Sequence, residues 1–146
     1  MKILIATETY TPTINGVVTS TRTLKQALEQ AGHEVYILTL GTCDAEDEVN
    51  HVYRVHSFGL GKLYPDARFS FSKNSPLVNH LMNWQPDIIH TQGEFSTFLM
   101  AQKISKVLNI PMVHTYHTVY EDYTHYFSPN KLIGKKIVRI LSRKIL

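Results

Sequence analysis

The 146-residue sequence holds a single cysteine, Cys43. One thiol makes neither an internal disulfide nor a thiolate metal cluster, so the fold has to rest on packing. No apolar run approaches the roughly 20 residues that a membrane-spanning helix needs. Met1-Lys2 leads straight into Ile3-Leu4-Ile5-Ala6, without the pattern of a secretory leader. The expectation is a cytosolic chain with no spanning helix. Neither Gly-x-Gly-x-x-Gly nor a Walker A loop occurs, which disfavours a nucleotide cofactor of either standard kind. Internal repeats and low-complexity segments are missing as well.

What is there is an ordinary globular composition: 43% hydrophobic, 18% charged and 10% aromatic residues, enough for one domain with a substantial core. The formal charge of +3 averages two unlike parts. Residues 1–129 carry nine lysines and arginines against twelve acids. Residues 130–146 carry six basic residues, Lys131, Lys135, Lys136, Arg139, Arg143 and Lys144, and no acid.

Lys2 to Ala6 is a short apolar run of the kind buried on both faces, which predicts a central parallel strand. After a loop over Thr7 to Asn15, apolar residues at helical spacing predict a helix from about Gly16 to Gln30, stopped at Gly32. Glu34 to Leu40 is the next strand, Ala45 to Glu48 a solvated acidic turn, and His51 to His56 a third strand. Phe58 to Asn74 reads as a loop. A short helix over Pro76 to Trp84, a strand over Pro86 to His90, a helix over Glu94 to Leu108 and a strand over Pro111 to Thr115 follow. This alternation predicts an α/β, Rossmann-like doubly wound parallel sheet, with ligands beyond the carboxyl ends of the strands.

Three loops then become candidates. The first, Thr7 to Val17, opens a helix on Gly16, where free N–H groups and the helix dipole suit a phosphate; a glycine that merely starts a helix is the alternative. The second, His90-Thr91-Gln92-Gly93-Glu94, brings polar side chains to a strand end, although a histidine there is as readily a hydrogen-bonded core residue. The third, His114 to Tyr126, gathers three histidines, four tyrosines and two carboxylates, a wall suited to hydroxyl-bearing ligands and to proton handling. His117, Glu121 and His125 share a helical spacing, so a metal site is a rival, but no His-Glu-x-x-His motif is present.

Taken in order, Lys2-Ile-Leu-Ile-Ala, Pro12 with Asn15-Gly16-Val17, Ala31-Gly-His-Glu-Val35, Pro86-Asp-Ile-Ile-His90 and Pro111-Met-Val-His-Thr-Tyr-His117 resemble the N-terminal domain of glycosyltransferase family 4. The members are retaining enzymes of the GT-B fold. His-Thr-Tyr-His-Thr followed by Tyr-Glu-Asp-Tyr-Thr-His-Tyr looks most like the bacterial members that glucosylate diacylglycerol. The resemblance implies that residues 1–146 are the acceptor-binding N-terminal half of a GT-B fold, and that the chain stops before the donor-binding domain with its Glu-x7-Glu element. The 146 residues are on this reading part of a longer protein and inactive alone. The implied reaction takes glucose from UDP-glucose to 1,2-diacylglycerol without a metal or other cofactor. Gly16 and Asn15 would lie at the donor diphosphate and His117 at the donor sugar, while Tyr10, Gln92, Tyr123, His125 and Tyr126 would face the acceptor. Many members have Gly-Gly where this chain has Asn15-Gly16, which bears on how closely the loop approaches the donor.

On a helical wheel, Lys131, Lys135, Lys136, Arg139 and Arg143 fall within about 140° of one another, with Ile133, Ile137, Ile140 and Leu141 on the opposite arc. Lys144 interrupts the apolar side. Residues 130–146 read as a basic amphipathic helix, either packed on the domain or lying on an anionic membrane surface. A lipid acceptor favours the membrane, and the expected location becomes peripheral, on the inner face of the cell membrane. Nucleic acid is disfavoured, because basic and aromatic residues are not interleaved elsewhere.

Overall fold

The computed structural model describes residues 1–59, 68–70 and 74–117. The chain divides into two compact units, Met1–Thr115 and Tyr116–Leu146. The first is built from β1 (Lys2–Ala6), α1 (Gly16–Gln30), β2 (Glu34–Gly41), β3 (Ala45–Asp47), β4 (Val52–His56), β5 (Phe58–Gly59), β6 (Arg68–Phe69), α2 (Pro76–Trp84), β7 (Ile88–Thr91), α3 (Ser96–Leu108) and β8 (Met112–His114). Six strands form one sheet in the order β3-β4-β2-β1-β7-β8. Every neighbouring pair is parallel except β3 with β4.

β1 explains this layout. Its alternate side chains enter two separate cores, Ile3 and Ile5 with Val35, Ile37 and Val52 on one face, Leu4 and Ala6 with Leu38, Val55 and Ile89 on the other. Leu24 and Leu28 of α1 close the first core, and Leu81 of α2 with Met100 and Ile104 of α3 close the second. A strand covered on both sides has no polar face to show, which is why its sequence is apolar throughout. Each fully buried Leu or Ile contributes on the order of 1.5–3 kcal/mol. These cores hold β1 as the fixed axis of the sheet.

Local chemistry sets the helix ends. Asn15 caps α1 by accepting from Val18 N at 2.9 Å, and Gly32, at φ +83°, turns the chain out of it. Ser75 caps α2 in the same way through Leu77 N at 3.2 Å, with Pro76 in the first turn. The non-glycine residues Gln85 and Asn109 end α2 and α3 in the left-handed region, at φ 57° and 54°.

Several boundaries differ from the sequence reading: β2 runs one residue further, to Gly41, β7 is Ile88–Thr91 where Pro86 to His90 was expected, and β8 is Met112–His114 where Pro111 to Thr115 was expected. The acidic stretch Ala45–Asp47 is an antiparallel edge strand, not a solvated turn. Its carboxylates are hydrogen-bond acceptors: Asp47 binds Asn50 N and Nδ2 at 3.0 and 2.9 Å, and Asp44 binds His56 N at 2.6 Å. The third strand starts at Val52, because His51 turns with φ 54°. Within the stretch read as a loop, Phe58–Gly59 pairs with Arg68–Phe69, and Arg68 donates to the Ser57 hydroxyl and to the carbonyls of Gly41 and Ser57. Glu94 and Phe95 precede α3, which begins at Ser96.

Because Gln85 occupies the left-handed region without a glycine's freedom, Gln85→Gly is expected to raise stability by about 0.5–1 kcal/mol. The urea midpoint of the variant against the parent checks this.

Candidate functional site

From β1 the chain crosses by α1 to β2 on one side, and it returns later to lay β7 on the other. The switch point of the sheet therefore lies between β1 and β7. In sheets of this kind the connections leave such a point in opposite directions, and a ligand crevice is expected beyond the carboxyl ends of the two strands. Two loops frame it, the one after β1 that carries Thr7, Glu8 and Asn15-Gly16, and the one after β7 that carries Gln92, Gly93 and Glu94. A main-chain bond from Gln92 N to Ala6 O, 2.7 Å, joins the two walls at their base.

Histidines line the β7 and β8 side. Nε2 of half-buried His90 lies 2.7 Å from Thr115 Oγ1 and 3.1 Å from Gln92 Nε2. It ties β7 to the segment that follows β8. The Thr91 hydroxyl donates to Val113 O at 3.3 Å and lies 2.7 Å from His114 Nδ1. A threonine hydroxyl has one proton, so with that proton on the carbonyl the histidine Nδ1–H is the donor in the second bond. The opposite ring nitrogen, Nε2, stands 3.9 Å from Glu94 Oε1. Phe98 packs edge-on against the same ring, 5.5 Å between centroids.

Glu8 is the residue that sequence reasoning passed over. Its Oε1 accepts from Thr97 N at 2.9 Å and from Thr97 Oγ1 at 2.8 Å, so it caps α3 from 89 positions away. α3 needs that cap, because Phe95 at its N-cap position offers no side-chain hydrogen bond. The other oxygen, Oε2, is buried and meets no donor among the described residues. Burial pushes the Glu8 carboxyl up to about 7; the bonds from Thr97 pull it down, and the negative charge of Glu94 adds to the rise. Gly93 makes room for this arrangement. A Cβ there would stand 2.8 Å from Glu8 Cγ and 3.3 Å from Glu8 N. The available signal was a carboxylate two residues past a wholly buried strand, where polar residues collect at the carboxyl ends of a parallel sheet.

The expected site residues are distributed as follows. Asn15 and Gly16 are exposed at the start of α1. Among the described residues a Cβ on Gly16 would have nothing within 4 Å, so their packing does not require glycine there. Gln92 is buried, 4% exposed, at the base of the crevice. Tyr10 packs against the α1-side core and lines a polar cleft of about 430 Å³ with Arg22, Lys25, Asp47 and Arg54, in which burial pushes the tyrosine's pKa up. The structure brings no contact between Tyr10 and Gln92. His117 is exposed and belongs to the second unit. Tyr123, His125, Tyr126, Lys131, Lys135, Lys136, Arg139, Arg143 and Lys144 lie outside the described residues. So do Glu121 and most of the aromatic wall. No group of three His, Cys, Asp or Glu side chains among the described residues is arranged to take a metal ion, and no described helix is long and apolar enough to cross a membrane.

Comparison with known proteins places these features in context. The model of glycosyltransferase family 4 matches residues 14–146. An alpha-monoglucosyldiacylglycerol synthase of Streptococcus pneumoniae is 42% identical over 147 residues, which covers 100% of this chain and 33% of that protein. One of the same name from Acholeplasma laidlawii is 36% identical over 148 residues, 92% of this chain and 37% of that protein. A GDP-mannose-dependent alpha-mannosyltransferase of Corynebacterium glutamicum is 26% identical over 125 residues, 81% of this chain and 29% of that protein. The chain thus spans about a third of the length of the curated relatives it matches.

Two stability predictions follow from the Glu8 contacts. A carboxyl raised to about 7 in the folded state binds its proton more tightly there than when unfolded. Its contribution is complete below the unfolded value and is lost as pH rises through 7. Glu8→Gln, which keeps the acceptor for Thr97 and stays neutral, is expected to gain stability relative to the parent between pH 5 and pH 8, read as the difference in urea midpoints. Gly93→Ala forces Glu8 aside and is expected to cost about 1–3 kcal/mol in the same assay.

Proposed function

The chain belongs to glycosyltransferase family 4, and we propose that it is the N-terminal, acceptor-side part of an enzyme that transfers glucose from UDP-glucose to the free hydroxyl of 1,2-diacylglycerol with retention of configuration. The observation that carries this reading is the 42% and 36% identity, across all or nearly all of the chain, to two proteins named alpha-monoglucosyldiacylglycerol synthase. The crevice between β1 and β7 supports it as the place of reaction. Large apolar side chains stand exposed on both of its loops, Ile14 at 94% and Phe95 at 44%, as suits an acceptor with acyl chains.

In this reading the N-terminal end of α1 meets the donor diphosphate. Anion binding there draws on backbone N–H groups and the helix dipole. Asn15 Oδ1 already satisfies Val18 N, so the main chain around Gly16 is the part left to approach the phosphates. The open space over Gly16 fits that role, since a glycine that packing does not require is explained by a ligand that comes close. His117 hydrogen-bonds the donor sugar, and Tyr10, Gln92, Tyr123, His125 and Tyr126 serve the acceptor. Stabilisation of the diphosphate leaving group by dipole and basic side chains needs no metal cofactor.

The basic residues of 130–146 hold the enzyme on anionic lipid at the inner face of the membrane. Each lysine or arginine near such a surface contributes on the order of 1 kcal/mol, so Lys131, Lys135, Lys136, Arg139, Arg143 and Lys144 together suffice for reversible docking.

Two substitutions in the complete enzyme test the assignment. His117→Ala is expected to lower transfer from UDP-glucose to diacylglycerol in liposomes at least 100-fold. Gly16→Ala is expected to leave the thermal midpoint unchanged or raised while transfer falls at least tenfold, because the added methyl meets ligand and not protein. Near parental transfer by His117→Ala, or no glycolipid from the parent enzyme, overturns the reading. GDP-mannose in place of UDP-glucose is expected to give no product, and efficient mannosyl transfer would move the donor assignment toward that of the third relative.

A further inference from the structure

We propose that Glu8 is a positioning residue for the transfer reaction: as a neutral acid, its carboxyl clamps the loop after β1 onto the first turn of α3, and so sets where Asn15 and Gly16 stand. The inference rests on the reading of the crevice as the reaction site. It concerns a residue that touches neither donor nor acceptor in that reading.

Three contacts carry it. Thr97 gives Glu8 Oε1 both its N–H and its hydroxyl, at 2.9 and 2.8 Å, so a side chain on one wall of the crevice is anchored to the helix that leaves the other. Gly93 lets Glu8 lie against the main chain, where even a methyl group would stand 2.8 Å from Cγ. Further along the same loop, Arg54 Nη2 donates to Thr11 O at 3.1 Å. The loop is thus fastened near its start to α3 and at its middle to β4. It then runs through Thr13 and Ile14 into the Asn15 cap of α1. Both fastenings hold the stretch that leads into α1 to fixed elements, α3 and β4.

The protonation state follows from the second oxygen. Oε2 is buried and meets no donor among the described residues, and an anionic oxygen in that situation costs far more than a hydroxyl. The charged groups that face it make the anion worse. Glu94 precedes α3 on the adjacent loop and repels a negative Glu8. His114 of β8 stands 3.9 Å from Glu94 Oε1 through its Nε2. α3 contributes Thr97 to the Glu8 carboxyl, and the residue before the helix, Phe95, contributes its main chain. Above neutral pH the clamp therefore becomes an anion with an unmet oxygen beside a second carboxylate. Loosening of the loop relieves it.

The test uses the complete enzyme with Glu8→Gln and Glu8→Ala, each checked for fold by circular dichroism. The parent is expected to lose kcat progressively above pH 7. Glu8→Gln, which keeps the acceptor for Thr97 and cannot ionise, is expected to hold its pH 6 rate to pH 9. Glu8→Ala is expected to lower kcat at pH 6 at least tenfold with less than threefold change in the KM for UDP-glucose, and the glutamine variant to restore at least half of the parental value. An alkaline limb in Glu8→Gln equal to the parent's, or Glu8→Ala within twofold of the parent, overturns the proposal. If the parent makes no glycolipid, the functional reading fails separately, and amide hydrogen exchange then decides on Glu8. Faster exchange at Thr97 and Val18 in Glu8→Ala, reversed in Glu8→Gln, supports the clamp; unchanged exchange at both sites overturns it.

Discussion

β1 is buried on both faces, and most of what the molecule does with its polar residues follows from that. Ile3, Leu4, Ile5 and Ala6 leave no surface along the strand for chemistry. The chain can present a polar group only where it emerges, at Thr7 and beyond. β7, the neighbour on the other side of the switch point, repeats the pattern with Ile89 buried and Thr91, Gln92 and Glu94 at its exit. The two strands run parallel in the register Ile3 to Ile88 through Ala6 to Thr91, so both exits fall at one level. A crevice lined by polar side chains is what remains when two apolar strands end together and their connections go opposite ways.

Much of this was legible in the residues. The α1 boundaries could be read from Asn15-Gly16 and Gly32, because capping and left-handed exits are local chemistry. The strand sequence was visible as alternating apolar runs and helical periods. The places where reading fell short share a cause: their hydrogen bonds run between segments distant in sequence. Ala45–Asp47 reads as a turn until Val52–Arg54 is beside it to accept its pairing. Phe58–Gly59 and Arg68–Phe69 are too short to announce themselves as strands, and Arg68 shows its use only with Ser57 and Gly41 adjacent. Glu8 belongs to the same group. Its partner Thr97 is 89 residues on, and nothing in the segment Thr7-Glu8-Thr9 shows that a helix end will arrive there.

That distance has an energetic side. A helix whose own N-cap is Phe95 begins with unmet N–H groups, each a cost when shielded from water. A capping residue contributes about 1 kcal/mol wherever it sits in the sequence. Supplied by Asn15 or Ser75, the cap steadies one helix. Supplied by Glu8, the same bond also fixes the spacing of two loops, because breaking it uncaps α3 and frees the β1 loop together. The cost of this second use is a buried carboxyl with one oxygen that meets no donor among the described residues, and burial pushes that carboxyl up to about 7.

Gly16 completes the contrast between what the fold requires and what the site requires. Gly93 and Gly32 have structural reasons, a close approach to Glu8 and a left-handed backbone. Gly16 has neither: a Cβ there meets nothing within 4 Å among the described residues, and the first turn of a helix gains from an alanine in place of glycine. A residue that lowers helix propensity and relieves no strain is accounted for by what has to pass close to it. The capping bond from Asn15 occupies Val18 N, and Gly16 is exposed beside it. The helix thus presents its dipole and an exposed backbone at Gly16, and in the proposed reading the donor diphosphate is the ligand that uses both.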